Sequence, residues 1–446
     1  MKDAESIADG AIDAGFEDLH PPLDRTQAAV EAARCLYCYD APCIDACPTG
    51  IDIPTFIHQI RTGNLDGSAR TILEANIMGG TCARACPTEV LCEEACVLNK
   101  GHEQPVKIGQ LQRHAVDHLI DAGGPHPFSR AAATGRRLAV VGAGPAGLAF
   151  AHRAAMAGHE VVVFDARPKP GGLNEYGLAA YKMAGDFAQR EVDFLLGIGG
   201  IVIEPGMRLG RDIDLEPLRR DHDAVFIGVG LGATRRLDLP GEDLPGVRDA
   251  LDFIAELRQT APKSAMSVAR EVVVIGGGNT AIDAAVQAKR LGAEMVTLVY
   301  RGPESRMKAT AWERDLARLN GVVIRTHATP VAFEGDGRLA RVVFERTALQ
   351  DGRLTGTGET FALPADTAYK AVGQLMSADG LDGLVMDGGK IVVDAAYRTS
   401  LDTVFAGGDC IASGDDLTVQ AVEDGKRAAD AVSAWLHASG EGGDNG

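Results

Sequence analysis

Basic residues are scarce in this chain: Lys+Arg number 44 against 62 Asp+Glu, a formal net charge of −18. That balance argues against nucleic acid or an anionic membrane surface as partner. Long hydrophobic runs are missing too. No apolar stretch reaches the roughly 18 residues of a membrane span. The opening "MKDAESIADGAIDAGFEDLH" carries acids throughout and no apolar core, so no secretory signal is expected and the default compartment is the cytoplasm. Cysteine is sparse, 9 in 446 residues. Thiols stay reduced in that compartment, so clustered cysteines mean metal or redox work before disulfides. What remains is ordinary globular composition, 46% apolar and 24% charged, in a chain long enough for two or three domains.

Eight of the cysteines lie between Cys35 and Cys96, spaced C-x2-C-x4-C-x3-C-P (Cys35, Cys38, Cys43, Cys47) and C-x3-C-P-x4-C-x3-C (Cys82, Cys86, Cys92, Cys96). Thiolate-rich ligation suits zinc or an iron–sulfur cluster. Zinc usually takes two separated C-x2-C pairs, whereas a compact run ending in C-P resembles bacterial ferredoxins. Eight thiols suffice for two 4Fe-4S clusters; structural zinc and disulfides are the alternatives. Cys410 stands alone among apolar neighbours and is expected to be a buried, inert thiol. Between the cysteine groups, "IPTFIHQIRTGNLDGSARTILEAN" predicts two helices broken at Gly63 and Gly67, and "VKIGQLQRHAVDHLIDAG" a helix ending at Gly123 and Gly124. Residues 1–125 thus read as a small helical domain held by its metal, and 126–137 as a linker.

From Leu138 short β-branched runs alternate with Ala-rich helices, the α/β signature. One pattern occurs twice, as "LAVVGAGPAGLAFAHRAAMAGHEVVVFDA" and "VVVIGGGNTAIDAAVQAKRLGAEMVTLVYR". Each reads as strand, glycine-rich turn, helix, strand. In the first copy Gly142, Gly144 and Gly147 fill G-x-G-x-x-G around Ala143, Pro145 and Ala146. The first glycine allows the tight turn, the second admits a pyrophosphate, the third lets helix and strand pack, and Asp165 stands where an acid meets a ribose hydroxyl. The second copy has Gly276, Gly278 and Ala281 in those positions, with Gly277, Asn279 and Thr280 between them. Its second strand ends on Arg301, followed by Gly302 and then Arg306. Arginines there can receive the 2′-phosphate of NADPH, or form a solvated loop.

Two such folds in one chain match the two-dinucleotide flavoprotein plan, FAD in the first copy and a nicotinamide cofactor in the second. The stretch "TSLDTVFAGGDCIASGDDLTVQAVEDGKRAADAV" resembles the C-terminal FAD segment of that superfamily, which implies flavin contacts at Gly408 and Asp409 and a helix from about Thr418 aimed at the flavin ring. The expected architecture is α/β: an FAD domain (138–240 and 371–438) with an inserted NAD(P) domain (241–370), a helical iron–sulfur domain before it and a flexible tail at 439–446. "GVGLGAT" (228–234) and Ala371, Val372 and Gly373 would mark the crossings. No C-x-x-C pair follows Cys96, so electrons reaching this flavin do not leave through a redox disulfide. They must leave through the cysteine-rich domain.

From "EAARCLYCYDAPC" to "FAGGDC" the chain resembles the NAD(P)H-oxidising module shared by dihydropyrimidine dehydrogenase and the glutamate synthase small subunit. "GGTCARACPTEVLCEEAC" followed by "PVKIGQLQR" and "VVFERTALQDGRLTGTG" are similar to the dehydrogenase branch. The resemblance implies interleaved ligands: Cys35, Cys38, Cys43 and Cys96 on one cluster, Cys47, Cys86, Cys92 and Gln112 on the other. Cys82 is then a non-ligand, against the eight-thiol count. It also implies FAD contacts at Gly142 to Gly147, Asp165, Gly171, Gly172, Leu173, Lys182 and Gly407 to Thr418, and nicotinamide contacts at Gly277 to Thr280, Arg301, Arg306 and Ala371 to Gly373. Gly302 departs from the second base that mammalian members carry, which favours NADH over NADPH. The implied partner is an FMN-containing, iron–sulfur catalytic subunit that reduces uracil and thymine; a glutamate synthase or an NAD(P)H:ferredoxin-type reductase is the alternative. No side-chain acid or base is expected in catalysis.

Overall fold

The computed structural model describes residues 9–101 and 103–441. Of the tail expected at 439–446, residues 442–446 lie outside them, and the last helix, Thr418–Glu441, runs on to Glu441. The chain forms two compact units. The first gathers His20–Glu175, Gly185–Gly232 and Met376–Gly446; the second gathers Met1–Leu19, Tyr176–Ala184 and Ala233–Leu375.

The first unit begins with the cysteine-bearing helices. Helix Ile53–Arg61 starts where Asp52 accepts the Thr55 amide at 3.2 Å, with Pro54 in its first turn. It ends before Gly63, and Asn64 caps the next helix, Leu65–Ala75, by accepting the Gly67 amide at 3.0 Å. The break is therefore made by Gly63 and Asn64, while Gly67, expected as a breaker, lies inside the second helix: a capped first turn satisfies the amides that a glycine there would leave loose. Helix Ile108–Ala122 stops at Gly123 in the left-handed region. Phe56, Ile57, Ile72, Leu111 and Val116 are fully buried where these helices meet.

The same unit holds a five-stranded parallel sheet in the order Val404–Ala406, Ala224–Ile227, Arg137–Val141, Glu160–Asp165, Ile201–Pro205. The register sets Leu138 between Val161 and Ala224. The edge strand comes from the far end of the chain, beyond the residues that make most of the second unit. Helices Pro145–Met156 and Thr418–Glu441 cover one face, and Phe150 stacks on Phe226 at 4.4 Å between ring centroids. Residues 126–137 carry no helix before the first strand, yet they are pinned: the Ala131 amide donates to Met156, and His126 stacks on Phe194.

The second unit has its own five-stranded parallel sheet, ordered Val247–Asp249, Thr367–Ala371, Glu271–Gly276, Met295–Val299, Val323–Arg325. An antiparallel meander, Ala328–Glu334, Arg341–Gln350 and Arg353–Pro364, follows. Residues 9–19 pack here and not with the cysteines: Phe16 is buried in this core, and Asp13 accepts from the Ser264 amide and hydroxyl, each at 3.0 Å.

Candidate functional site: two dinucleotide turns and a cysteine recess

In the first unit the chain turns at Gly142, whose φ of +104° suits glycine, and a Cβ there would run into the Gly228 carbonyl. Gly144 caps helix Pro145–Met156 in extended conformation, so the free amides of the first turn face the loop. Asp165 closes the second strand and binds backbone: Oδ2 accepts the Ala143 amide at 2.6 Å and Oδ1 the Arg167 amide at 2.7 Å. Burial pushes its carboxyl above the usual range, and these two amides pull it back. Gly171 donates its amide to the Ala143 carbonyl at 2.7 Å, and a Cβ on Gly172 would come within 2.7 Å of Gly144 Cα. Thr418 opens the last helix and donates its hydroxyl to Asn174 Oδ1 at 3.2 Å, just after Leu173.

Gly408 packs against Ala146, and its amide donates to Asp424 at 3.0 Å. The structure thus brings Gly142 to Gly147, Asp165, Gly171 to Leu173, Gly408, Asp409 and Thr418 around one cradle. The bare glycines, with only Gly172 Cα, at 3.9 Å, near where a Gly144 Cβ would stand, and the helix N-terminus fit a dinucleotide such as FAD. Sequence reasoning missed Asp424, which also accepts from Tyr397 and Gln420. Asp424 is buried, yet in sequence it stands among Glu423, Lys426 and Arg427, a run that carries no local signal.

Lys182 belongs to the second unit, where its ammonium is buried between Asp283, at 2.7 Å, and Glu313. Burial pulls its pKa down, but the two carboxylates hold it above the usual lysine range.

In the second unit Gly276 turns beside Ala371, Gly277 lies against the Tyr300 ring, and Gly278 caps helix Asn279–Arg290 with open space where a Cβ would stand. Ala281, in the third glycine position, is fully buried between helix and strand. Gly373 accepts the Arg235 amide at 3.1 Å just past Val372. Arg301 is exposed at the strand end, and Arg306 Nη1 donates to the Gly352 carbonyl at 3.3 Å. Gly302 is buried, and a Cβ there would stand 3.3 Å from side-chain atoms of Leu354 and Tyr300, a tight fit that a larger residue would have to displace. These residues suit a second dinucleotide.

The cysteines gather in two places, both in the first unit. Cys35, Cys38, Cys43 and Cys96 line a solvent-open recess whose walls include Ile53, Ile57 and Ile108. Burial, with Cys35, Cys96 and Cys38 as neighbours, pushes the Cys43 thiol up to about 12. The second place holds Cys86, Cys92 and Cys47. The Cys86 thiol is raised by a hydrogen bond with Cys82, then by burial and by Cys92 and Cys47. Cys92 is raised by burial, Glu93 and Cys47.

Gln112 is buried in helix Ile108–Ala122 and donates Nε2 to the Gly79 carbonyl at 2.6 Å, at the head of helix Gly79–Ala85, while Cys86 caps the opposite end of that helix. With its nitrogen so used, the amide oxygen is the atom left to ligate. Among the described residues no three His, Cys, Asp or Glu side chains converge tightly enough for a single metal ion. The four recess thiols surround a space and not a point, which fits a polynuclear core. Cys410 is fully buried and donates to backbone carbonyls of Gly407 and Ile227.

Comparison with known proteins agrees with these elements. The pyridine nucleotide-disulphide oxidoreductase family matches residues 136–425, and the family described as dihydropyrimidine dehydrogenase domain II, 4Fe-4S cluster, matches residues 12–123. The NADPH-dependent glutamate synthase small chain of Escherichia coli K12 is 34% identical over 446 residues, 94% of this chain and 94% of that one. The NAD-dependent dihydropyrimidine dehydrogenase subunit PreT of the same strain is 34% identical over 421 residues, 94% and 97% of the two chains.

Among solved structures, Mycobacterium tuberculosis FprA in complex with NADPH superposes with TM-score 0.58 at 21% identity, covering 69% of this chain and 86% of that one. Thioredoxin reductase of T. acidophilum gives 0.55 at 22%, covering 68% and 99%. These two share the fold. No helix among the described residues is long and apolar enough to cross a membrane. The chain belongs to the pyridine nucleotide-disulphide oxidoreductases, in the group that carries a dihydropyrimidine dehydrogenase-type 4Fe-4S domain, and is an NAD(P)H-dependent flavin and iron–sulfur oxidoreductase.

Proposed function

We propose that the protein is the electron-input subunit of a dihydropyrimidine dehydrogenase, working in the cytoplasm beside an FMN-containing, iron–sulfur catalytic subunit that reduces uracil and thymine to their 5,6-dihydro forms. The observation that carries this reading is that the cradle around Gly142 to Gly147 and both cysteine groups lie in one compact unit. Bound NADH, FAD and two 4Fe-4S clusters would supply hydride transfer followed by one-electron steps. The residues of this chain hold and orient those groups. Cys35, Cys38, Cys43 and Cys96 would hold one cluster, and Cys47, Cys86, Cys92 and Gln112 the other. The FAD domain is assigned to 138–240 and 371–438 and the nicotinamide domain to 241–370.

The dehydrogenase reading is supported over glutamate synthase by Cys82, Gln112 and the meander sequence "VVFERTALQDGRLTGTG". The buried Gly302, which leaves Arg301 without a second base beside it, supports NADH. The test is to purify the native complex anaerobically and assay NADH and NADPH with uracil, and in parallel with 2-oxoglutarate plus glutamine. NADH-driven reduction of uracil is the expected result. Turnover only with 2-oxoglutarate and glutamine assigns the protein to the other branch, and turnover with neither removes both.

A further inference from the structure

One buried side chain touches a cysteine that the reading above makes a cluster ligand, and is not itself a ligand in it. The Thr49 hydroxyl lies 3.3 Å from Cys47 Sγ, in the turn closed by the Gly50 amide on the Cys47 carbonyl at 2.8 Å. Either atom could donate while the sulfur is protonated. A ligating cysteine is a thiolate: it has no proton and can only accept. That fixes the direction, from the Thr49 hydroxyl to the ligating sulfur.

Among the described residues that line the other site, no side chain offers an equivalent donor. The recess of Cys35, Cys38, Cys43 and Cys96 is walled by side chains such as Ile53, Ile57, Val97, Leu98, Val106 and Ile108, which offer no donor. Hydrogen bonds to cluster sulfurs withdraw charge and favour the reduced state, so the protein treats its two sites differently.

We propose that the Thr49 hydroxyl is a hydrogen-bond donor to the sulfur of Cys47 and raises the reduction potential of the cluster that Cys47 serves. The inference rests on the ligand reading given above.

The experiment uses the full chain, purified anaerobically with its clusters, as T49V and T49S. Iron and sulfide per chain are measured first, then the two midpoints by EPR-monitored titration and the Fe–S(Cys) stretches by resonance Raman on the oxidised protein. Valine keeps the shape of threonine and removes only the hydroxyl. The expected result in T49V is unchanged iron, one midpoint shifted down, the other unmoved, and shifted Fe–S(Cys) stretches. T49S, which keeps a donor, should stay closer to the parent and serves where T49V does not fold. Full iron with unmoved midpoints and stretches in T49V overturns the proposal and leaves the ligand reading standing. A parent chain purified without iron overturns the ligand reading as well.

Discussion

Asp165 and Ala143 are joined by a 2.6 Å hydrogen bond from the loop amide to the carboxylate, so the acid that ends the second strand also fixes the glycine turn after the first. A charged hydrogen bond of this kind contributes about 1.5–3 kcal/mol. Asp165→Ala should therefore loosen the loop and weaken FAD binding by about ten-fold or more, each 1.4 kcal/mol being a factor of ten. Asp165→Asn keeps an acceptor for one amide and should fall between. FAD released on dilution, followed by flavin fluorescence, measures this; parental affinity in Asp165→Ala would remove the role.

Asp409 sets a pH dependence. Burial above all, with Asp416 and Asp424 adding and Lys390 opposing, pushes its carboxyl up to about 6 from 3.8. The folded value lies above the unfolded one, so this group's contribution to stability is complete below pH 3.8 and lost as pH rises through about 6. At pH 8 the flavin-free protein carries a buried charge that Asp409→Asn removes. The variant should be more stable there by on the order of 2 kcal/mol, and the gain should vanish at pH 4. Denaturant melts of flavin-free protein at both pH values check the sign.

Lys182 stands between Asp283 and Glu313, and removing it leaves two buried carboxylates without their cation. Breaking such a site typically costs about 3–5 kcal/mol. Lys182→Met should lower the melting temperature sharply, and adding Asp283→Asn and Glu313→Gln should restore most of the loss. FAD content should stay at the parental level throughout. Loss of FAD from a variant that melts normally would return Lys182 to the flavin site.

The parts of this protein that were legible in its sequence are those with short-range causes. Glycine turns need particular dihedrals, and parallel strands buried on both faces read as β-branched runs, so both dinucleotide folds stand out around Gly142 and Gly276. Long-range placements were not legible. Spacing alone groups Cys35, Cys38, Cys43 and Cys47, and only resemblance to a family replaced Cys47 by Cys96, which the structure sets with the other three around one recess. Lys182 follows the loop of Gly171 and Gly172 in sequence, yet its partners are a hundred and more positions away on other helices, at Asp283 and Glu313. Asp424 is buried and fixes Gly408, yet its run with Glu423, Lys426 and Arg427 looks in sequence like any solvated one. Residues 9–19 precede the cysteines but pack with the second unit, because Phe16 and Asp13 find their partners there.

Cys47 gives the sharpest test of the interleaved ligand sets. In sequence it closes the first group of four, but Cys86 and Cys92 both have it as a near neighbour, while the recess thiols are completed by Cys96. Cys47→Ala should halve the iron per chain, remove the signal of the cluster assigned to Cys86, Cys92 and Gln112, and spare the other. Cys96→Ala should do the reverse, although Cys96 lies only four positions beyond Cys92. Because the two substitutions cross the sequence groups in opposite directions, local fours and interleaved fours predict opposite losses. Iron analysis with EPR on the reduced variants separates them: if Cys47→Ala and Cys96→Ala each remove the cluster of their own sequence group, the interleaved assignment fails.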